Sequence, residues 1–399
     1  MTDQETVLTY PFQPPTAVDP PAEWAELREK CPVAHVRTEH GGDALLLTRY
    51  DDVRTLLSDP RFTRALADDG GTGAGAASAM GGAPSFMVDN AEHMRWRRLL
   101  SRSFTAKRMS ALQPRITEIA DQLIDDMIEH GAPADLRTAL GFPLPVYVIC
   151  DLLGVPAADR EKFAYWSDHF LSLTRFSQQE VQESAAEMWQ YMVGHVRAKR
   201  DAPGDDLLSE LVTVVDTEDG RLSETELVFT GQALLVAGHE TTANMIGKMA
   251  AMLLADRSRW EQLLADPSLV RTAVEEVLRF DANLGFGMHR QITERIEIAG
   301  TAISPGTTVL SAMPSANRDE RVFSCPAEMD LTRSPNPHLT FGAGPHSCLG
   351  QSLARIELQT VLTVLLTRLP TLALAVDVPA LRRREGLLVG GLEEVPVRW

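Results

Sequence analysis

The chain has 399 residues, 44% of them apolar and 6% aromatic, and carries a formal net charge of −17. That balance argues against nonspecific binding to nucleic acid or to anionic membranes, since both are polyanions. Cys31, Cys150, Cys325 and Cys348 form no Cys-x-x-Cys pair, and an acidic start without a basic and an apolar block adds to the expectation of a reducing, cytoplasmic setting. No run approaches the ~20 apolar residues of a membrane span, so no membrane partner is expected.

Residues 11–22 are proline-rich, and Pro20 and Pro21 open a short helix through Leu27. Ala44–Thr48 reads as a strand and Tyr50–Leu57 as a helix. From about 65 to 88 the composition shifts to Gly, Ala, Ser and Asp, with no apolar periodicity. That stretch predicts a mobile loop, in which Met80, Phe86 and Met87 are apolar. Next, His93 and Arg97 stand four apart in a helical pattern and share one face, an arrangement suited to an anion. Arg98, Arg102, Lys107 and Arg108 add positive charge to this acidic chain. Helices are predicted over 109–130, 145–153, 158–173 and 179–200, with Phe163, Trp166, Phe170, Leu173 and Phe176 forming an apolar stripe that packs against core or ligand.

The longest helical pattern runs over 223–256, opened by the capping box Ser223–Glu226. At the usual rise per residue it would be about 50 Å long. Its middle, Leu234 to Thr242, is unusual for a buried helix, because Gly238 weakens helix propensity and Glu240 and Thr241 bring polar groups into an apolar run. A hydroxyl there can take the carbonyl one turn earlier and loosen the ladder. Glu276 and Arg279 lie three apart on a further helix and can pair. The loop 281–290 holds Leu284, Phe286, Met288 and Arg290, and strand patterns follow at 296–298, 307–310, 372–375 and 394–399.

Residues 338–351 place Cys348 in a glycine-rich loop just before an amphipathic helix. Gly342, Gly344 and Gly350 permit positive φ and the close approach of a flat ligand. A position near a helix N-terminus favours the thiolate, the form that binds iron.

Phe341, Gly342, Gly344, His346, Cys348 and Gly350 fit the signature Phe-Gly-x-Gly-x-His-x-Cys-x-Gly, and Ala237 to Thr242 fit Ala-Gly-x-Glu-Thr-Thr. With the His93/Arg97 and Glu276/Arg279 pairs, the chain resembles the soluble bacterial cytochromes P450. The resemblance implies a mostly α fold with a small β-rich lobe, built as a single haem domain over 1–399. It implies heme b with Cys348 as axial thiolate, and propionates held by His93, Arg97, Arg290 and His346. It also implies that Ala237 and Gly238 leave room over the iron, that Thr241 hydrogen-bonds dioxygen or a water, and that Glu240 relays protons. The segment at 65–88 becomes a lid whose Met80, Phe86 and Met87 touch the ligand, Phe170, Leu173, Leu234, Leu284 and Phe286 become substrate-lining, and Glu276 with Arg279 becomes a structural clamp. This chain reads Pro326–Met329 where relatives often supply the clamp's third member, leaving Arg318 or Arg333 for that place.

The expected reaction is insertion of one oxygen atom from O2 into a bulky apolar small molecule, such as a macrolide or other polyketide. Electrons would come from a separate ferredoxin and ferredoxin reductase, docked on the Arg98–Arg108 cluster. The alternatives are a haem-thiolate enzyme that uses peroxide or catalyses oxidative coupling, and a haem-binding sensor without turnover.

Overall fold

The computed structural model describes residues 7–38, 42–63, 90–171, 176–213, 220, 222–281, 288–384 and 390–399. The helices are α1 (Glu23–Lys30), α2 (Tyr50–Ser58), α3 (Asn90–Ser101), α4 (Ala106–Ser110), α5 (Gln113–His130), α6 (Pro143–Leu152) and α7 (Arg160–Leu171). They continue as α8 (Gln178–Asp201), α9 (Leu207–Thr213), α10 (Glu224–Leu254), α11 (Arg257–Ala265), α12 (Val270–Phe280), α13 (Met313–Ala316) and α14 (Gln351–Arg368). The segment expected to be one helix from 109 to 130 is two. Pro114 explains the break, because its missing N–H and fixed φ are accommodated only in a first turn, where α5 begins.

Helix α10 is the axis of the molecule. Its start is fixed reciprocally, with Ser223 Oγ accepting from the Glu226 N–H at 3.2 Å and Glu226 Oε2 from the Ser223 N–H at 2.7 Å. From Thr242 to Leu254 every residue is buried, on all faces of the helix, as expected where α6, α8, α12 and α14 pack around one helix.

The strands are β1 (Leu8–Tyr10), β2 (Val33–Thr38), β3 (Asp43–Leu47), β4 (Phe62–Thr63), β5 (Ala134–Asp135), β6 (Met288–Ile292) and β7 (Ile296–Ile298). After them come β8 (Thr301–Ile303), β9 (Thr308–Ser311), β10 (Ala373–Leu374), β11 (Arg383–Arg384), β12 (Gly391–Leu392) and β13 (Pro396–Arg398). The main sheet has the order β1-β2-β3-β9-β6-β4. The alternation of β3 divides its leucines: Leu45 and Leu47 pack with Val53 and Leu56 of α2, while Leu46 packs with Tyr10 and Leu310 on the other face. The fold is mostly α with a small β lobe, and β6 carries Arg290 from that lobe toward the helices.

Candidate active site

A cavity of about 390 Å³ lies between α10, α3, the N-terminal part of α14 and the loop before it. From α10, Leu234, Ala237, Gly238 and Thr241 reach its wall, and from the loop Phe341, Gly342, His346, Cys348 and Gly350. His93 and Arg97 of α3 and Arg290 of β6 complete a basic group. The His93 and His346 rings lie 4.1 Å apart between centroids. The remaining wall is largely apolar, including Ile149, Met245, Leu278 and Leu353.

The cysteine loop is closed by its own backbone: the Cys348 N–H donates to Phe341 O at 2.7 Å and the Gly342 N–H to Leu339 O at 2.8 Å. Gly342 and Gly344 both have positive φ, +71° and +67°. A Cβ on Gly344 would meet Ser58 Cα at 2.7 Å, so this glycine lets the loop press against the end of α2. Gly350 differs from the expectation of positive φ. It sits at φ −83° as the N-cap of α14, with nothing within 4 Å of an added Cβ.

The helix terminus does not by itself ionise the cysteine. Burial pushes the Cys348 thiol up, and the Gly350 N–H, Arg97 and Arg355 oppose that rise without reversing it. Thiolate at this position therefore calls for a cation at the sulfur, which opens onto the cavity.

Behind the loop, Glu276 and Arg279 are both fully buried. Arg279 donates to both carboxylate oxygens at 2.8 and 2.7 Å and to the carbonyls of Asn317, Pro326 and Glu328. The third member is Arg333, whose Nε lies 3.0 and 3.2 Å from the same carboxylate. Arg318 instead stacks on the Phe280 ring, 3.6 Å from its centroid. Glu275 carries no local signal of its role. It takes Arg355 Nε at 2.7 Å and lies 3.0 Å from His338 Nε2, tying α12 to α14 and the cysteine loop. Burial opposes its ionisation, but these two partners prevail and hold it at about 2. Its spacing to Arg355 spans too much chain for any local pattern to show.

Thr241 Oγ1 donates to Ala237 O at 2.9 Å, the competition expected one turn back, while α10 remains continuous through this point. Gly238 lets α6 approach, since a Cβ there would meet Ile149 at 3.2 Å. Glu240 is buried but stands outside the cavity wall. Its Oε1 accepts from Asn244 Nδ2 and Arg384 Nη1, each at 3.2 Å. Glu357 of α14 reaches the cavity wall with no hydrogen-bond partner on either carboxyl oxygen, and burial pushes its carboxyl up to about 8.

Other expected residues fall elsewhere. Phe163 and Trp166 pack together and against Tyr191 in the core, and Phe176 stacks on His169. Met80, Phe86, Met87, Leu173, Leu284 and Phe286, with the lid at 65–88, lie outside the described residues, as do the side chains of Phe170 and Met288. Arg98, Arg102 and Lys107 are exposed, but Arg108 is engaged with Glu210.

A family model described as Cytochrome P450 matches residues 256–389. Nocardicin C N-oxygenase of Nocardia uniformis subsp. tsuyamanensis is 42% identical over 393 residues, 98% of each chain. Mycinamicin IV hydroxylase/epoxidase of Micromonospora griseorubida is 41% identical over 394 residues, again 98% of each. The chain belongs to the cytochrome P450 family. The solved structure of the LnmA cytochrome P450 hydroxylase of the leinamycin pathway of Streptomyces atroolivaceus S-140 is similar with a TM-score of 0.90 and 41% identity, over 98% of this chain and 100% of that one. That of the putative thioether synthase SgvP, from a tailoring step of griseoviridin, gives 0.91 and 38%, over 99% and 100%.

The chain is thus a cytochrome P450 monooxygenase, and the family implies a haem iron held by a thiolate. The cavity fits such a group. It combines a sulfur, apolar walls that would take a flat macrocycle, and cationic side chains where carboxylates would sit. No helix among the described residues is long and apolar enough to cross a membrane.

Proposed function

We propose that the chain is one haem domain that binds heme b through Cys348 and oxygenates a bulky apolar metabolite, such as a macrolide or other polyketide. The observation that carries this reading is the single cavity onto which Cys348 opens from the loop and Ala237, Gly238 and Thr241 open from α10. When bound, the haem supplies the activation of O2 that no amino-acid side chain can provide. His93, Arg97, Arg290 and His346 hold its carboxylates by charge-assisted hydrogen bonds. The backbone N–H of Gly350, near the Cys348 sulfur, favours its charged form. The Thr241 hydroxyl, anchored on Ala237 O, would hold a water in the cavity by accepting from it, and Glu240 would relay a proton to that water. Apolar walls keep bulk water from competing for that proton.

The substrate class rests on the apolar wall and on relatives that include the mycinamicin IV hydroxylase/epoxidase. An acidic ferredoxin would dock on exposed Arg98, Arg102 and Lys107, cations near one another in a chain of net negative charge. A second reading, oxidative coupling without net oxygen insertion, is favoured by the similarity to a putative thioether synthase.

The test is the optical spectrum of the purified protein reduced with dithionite under carbon monoxide, beside Cys348→Ala. A far-red-shifted Soret band in the wild type, lost in the variant, is expected. A folded, haem-loaded wild type without that band would overturn the ligand assignment. Product mass after turnover with ferredoxin and reductase then separates oxygen insertion from coupling.

A further inference from the structure

Arg355 of α14 stands outside the cavity wall, yet every nitrogen of its side chain is committed. Nε and Nη2 form a fork on the two oxygens of Glu275, at 2.7 and 3.1 Å, and Nη1 donates to Gln351 Oε1 at 3.0 Å. Glu275 is in turn fixed by His338. That imidazole accepts the Thr340 N–H on Nδ1 at 3.3 Å, which leaves Nε2 to donate to the carboxylate at 3.0 Å. The carboxylate, kept ionised by these partners, therefore sets the plane of the guanidinium as well as its place.

That place has a direction. The Arg355 guanidinium carbon lies 4.4 Å from the centroid of the Phe341 ring, within reach of a cation–π contact. Phe341 belongs to the cavity wall, and its carbonyl takes the Cys348 N–H. Together with Arg97, Arg355 also favours negative charge on the Cys348 sulfur. The pair thus turns its cationic end to the cysteine loop and its anionic end to α12. Without the fork, a side chain 29% exposed would be free to point its charge into water, where screening would weaken it.

We propose that Glu275 and Arg355 form a positioning pair that tunes reduction: the fork fixes the Arg355 charge against Phe341, and the charge held there makes a haem on Cys348 easier to reduce. This tuning presupposes the haem reading above and adds to it what sets the driving force for the incoming electron. Reduction brings in one electron and lowers the net charge at the site by one, so a cation held nearby favours the reduced form. The redox partner supplies that electron in turnover, and dithionite supplies it in the test.

The test is a redox titration of substrate-free, haem-loaded protein with dithionite and mediator dyes, followed by absorbance. Arg355→Gln should lower the equilibrium constant for reduction on the order of fivefold, or about 40 mV for one electron. Arg355→Lys keeps the charge without the fork and should recover most of that fall. Glu275→Asp keeps both charges but withdraws the carboxylate by a methylene, and the displaced guanidinium should lower the constant about twofold. Equal falls in Arg355→Gln and Arg355→Lys would mark a loosened loop and not a lost charge, and would overturn the proposal. An unmoved potential in Arg355→Gln or in Glu275→Asp would overturn it too. Thermal unfolding of the haem-free variants gives a readout apart from the haem: losses there with potentials unchanged would reduce the pair to a tie between α12 and α14. Each protein is first reduced under carbon monoxide. A wild type without the thiolate band would overturn the haem reading and this tuning with it, whereas a normal band with an unmoved potential would overturn the tuning alone.

Discussion

Two carboxyl groups, Glu276 and Glu357, are both buried within a short distance of the cysteine loop, and their surroundings drive them in opposite directions. Glu276 is met by Arg279, Arg333, Asn336 and the Asp330 N–H, and these donors hold its carboxyl below the usual range despite burial. Neither oxygen of Glu357 has a hydrogen-bond partner, and its carboxyl rises to about 8. Burial alone therefore does not say what a carboxylate is for; the count of donors around it does. The saturated one fastens α12 to the segment that leads into the loop. The other stays a neutral, protonatable group on the cavity wall.

The sharpest way to break this contrast is to remove a donor from the saturated side. Arg279→Ala would strand Glu276 as an uncompensated charge and release the carbonyls of Asn317, Pro326 and Glu328. A loss on the order of 3–5 kcal/mol is expected, read as failure to fold or a large drop in the denaturant midpoint. Arg333→Ala, which leaves the bidentate Arg279 pair intact, should cost less. Equal losses would show that the third member carries as much of the clamp as the first.

Next in size is Gly344→Ala, because it combines two penalties. The left-handed backbone costs roughly 1–2 kcal/mol for a residue with a Cβ, and the Cβ would press into α2 at Ser58. Thermal unfolding should show a drop of several degrees, and haem content should fall with it.

Glu357→Gln tests the other side of the comparison through pH. The native carboxyl is raised above its unfolded value, so the folded state binds the extra proton between the usual carboxylate range and about pH 8. Stability from this group is complete below the unfolded pKa and is lost as pH rises toward 8. Over pH 6 to 8 that amounts to about 2 kcal/mol in the haem-free protein. The glutamine variant should lose less stability over this range. Parallel curves for wild type and variant would show that Glu357 is already ionised at pH 6.

These contrasts also mark what the chain made legible by itself. The motif residues announced the cavity because their spacings are local: His93 with Arg97, Ala237 with Thr241, and Phe341 with Cys348. Glu276 and Arg279 were readable as a pair, but the choice of Arg333 over Arg318 was not, since it depends on how the irregular segment after α13 folds back. The same holds for Glu275 with Arg355 and for Glu240 with Arg384, partners 80 and 144 residues apart. Local periodicity carries no information about pairs of that kind. The aromatic stripe of α7 left core and ligand both open, because helical spacing is the same for either, and Phe163 and Trp166 face Tyr191 in the core.

Glycine provides the smallest and most discriminating test of that legibility. A reading from spacing treats Gly342, Gly344 and Gly350 as equivalent hinges, whereas only the first two have positive φ. Gly350 has an ordinary helical-side φ and open space where a Cβ would stand. Gly350→Ala should therefore change the stability of the haem-free protein by no more than about 0.5 kcal/mol, in contrast to Gly344→Ala. Because Gly350 lines the cavity, its Cβ would meet whatever lies against that wall. If the cavity holds a flat macrocycle close to the loop, Gly350→Ala should retain its fold and lose haem affinity, measured by haem transfer to an apo-globin. Unchanged haem retention would place the macrocycle away from Gly350, and an unstable haem-free variant would restore the backbone reading of this glycine.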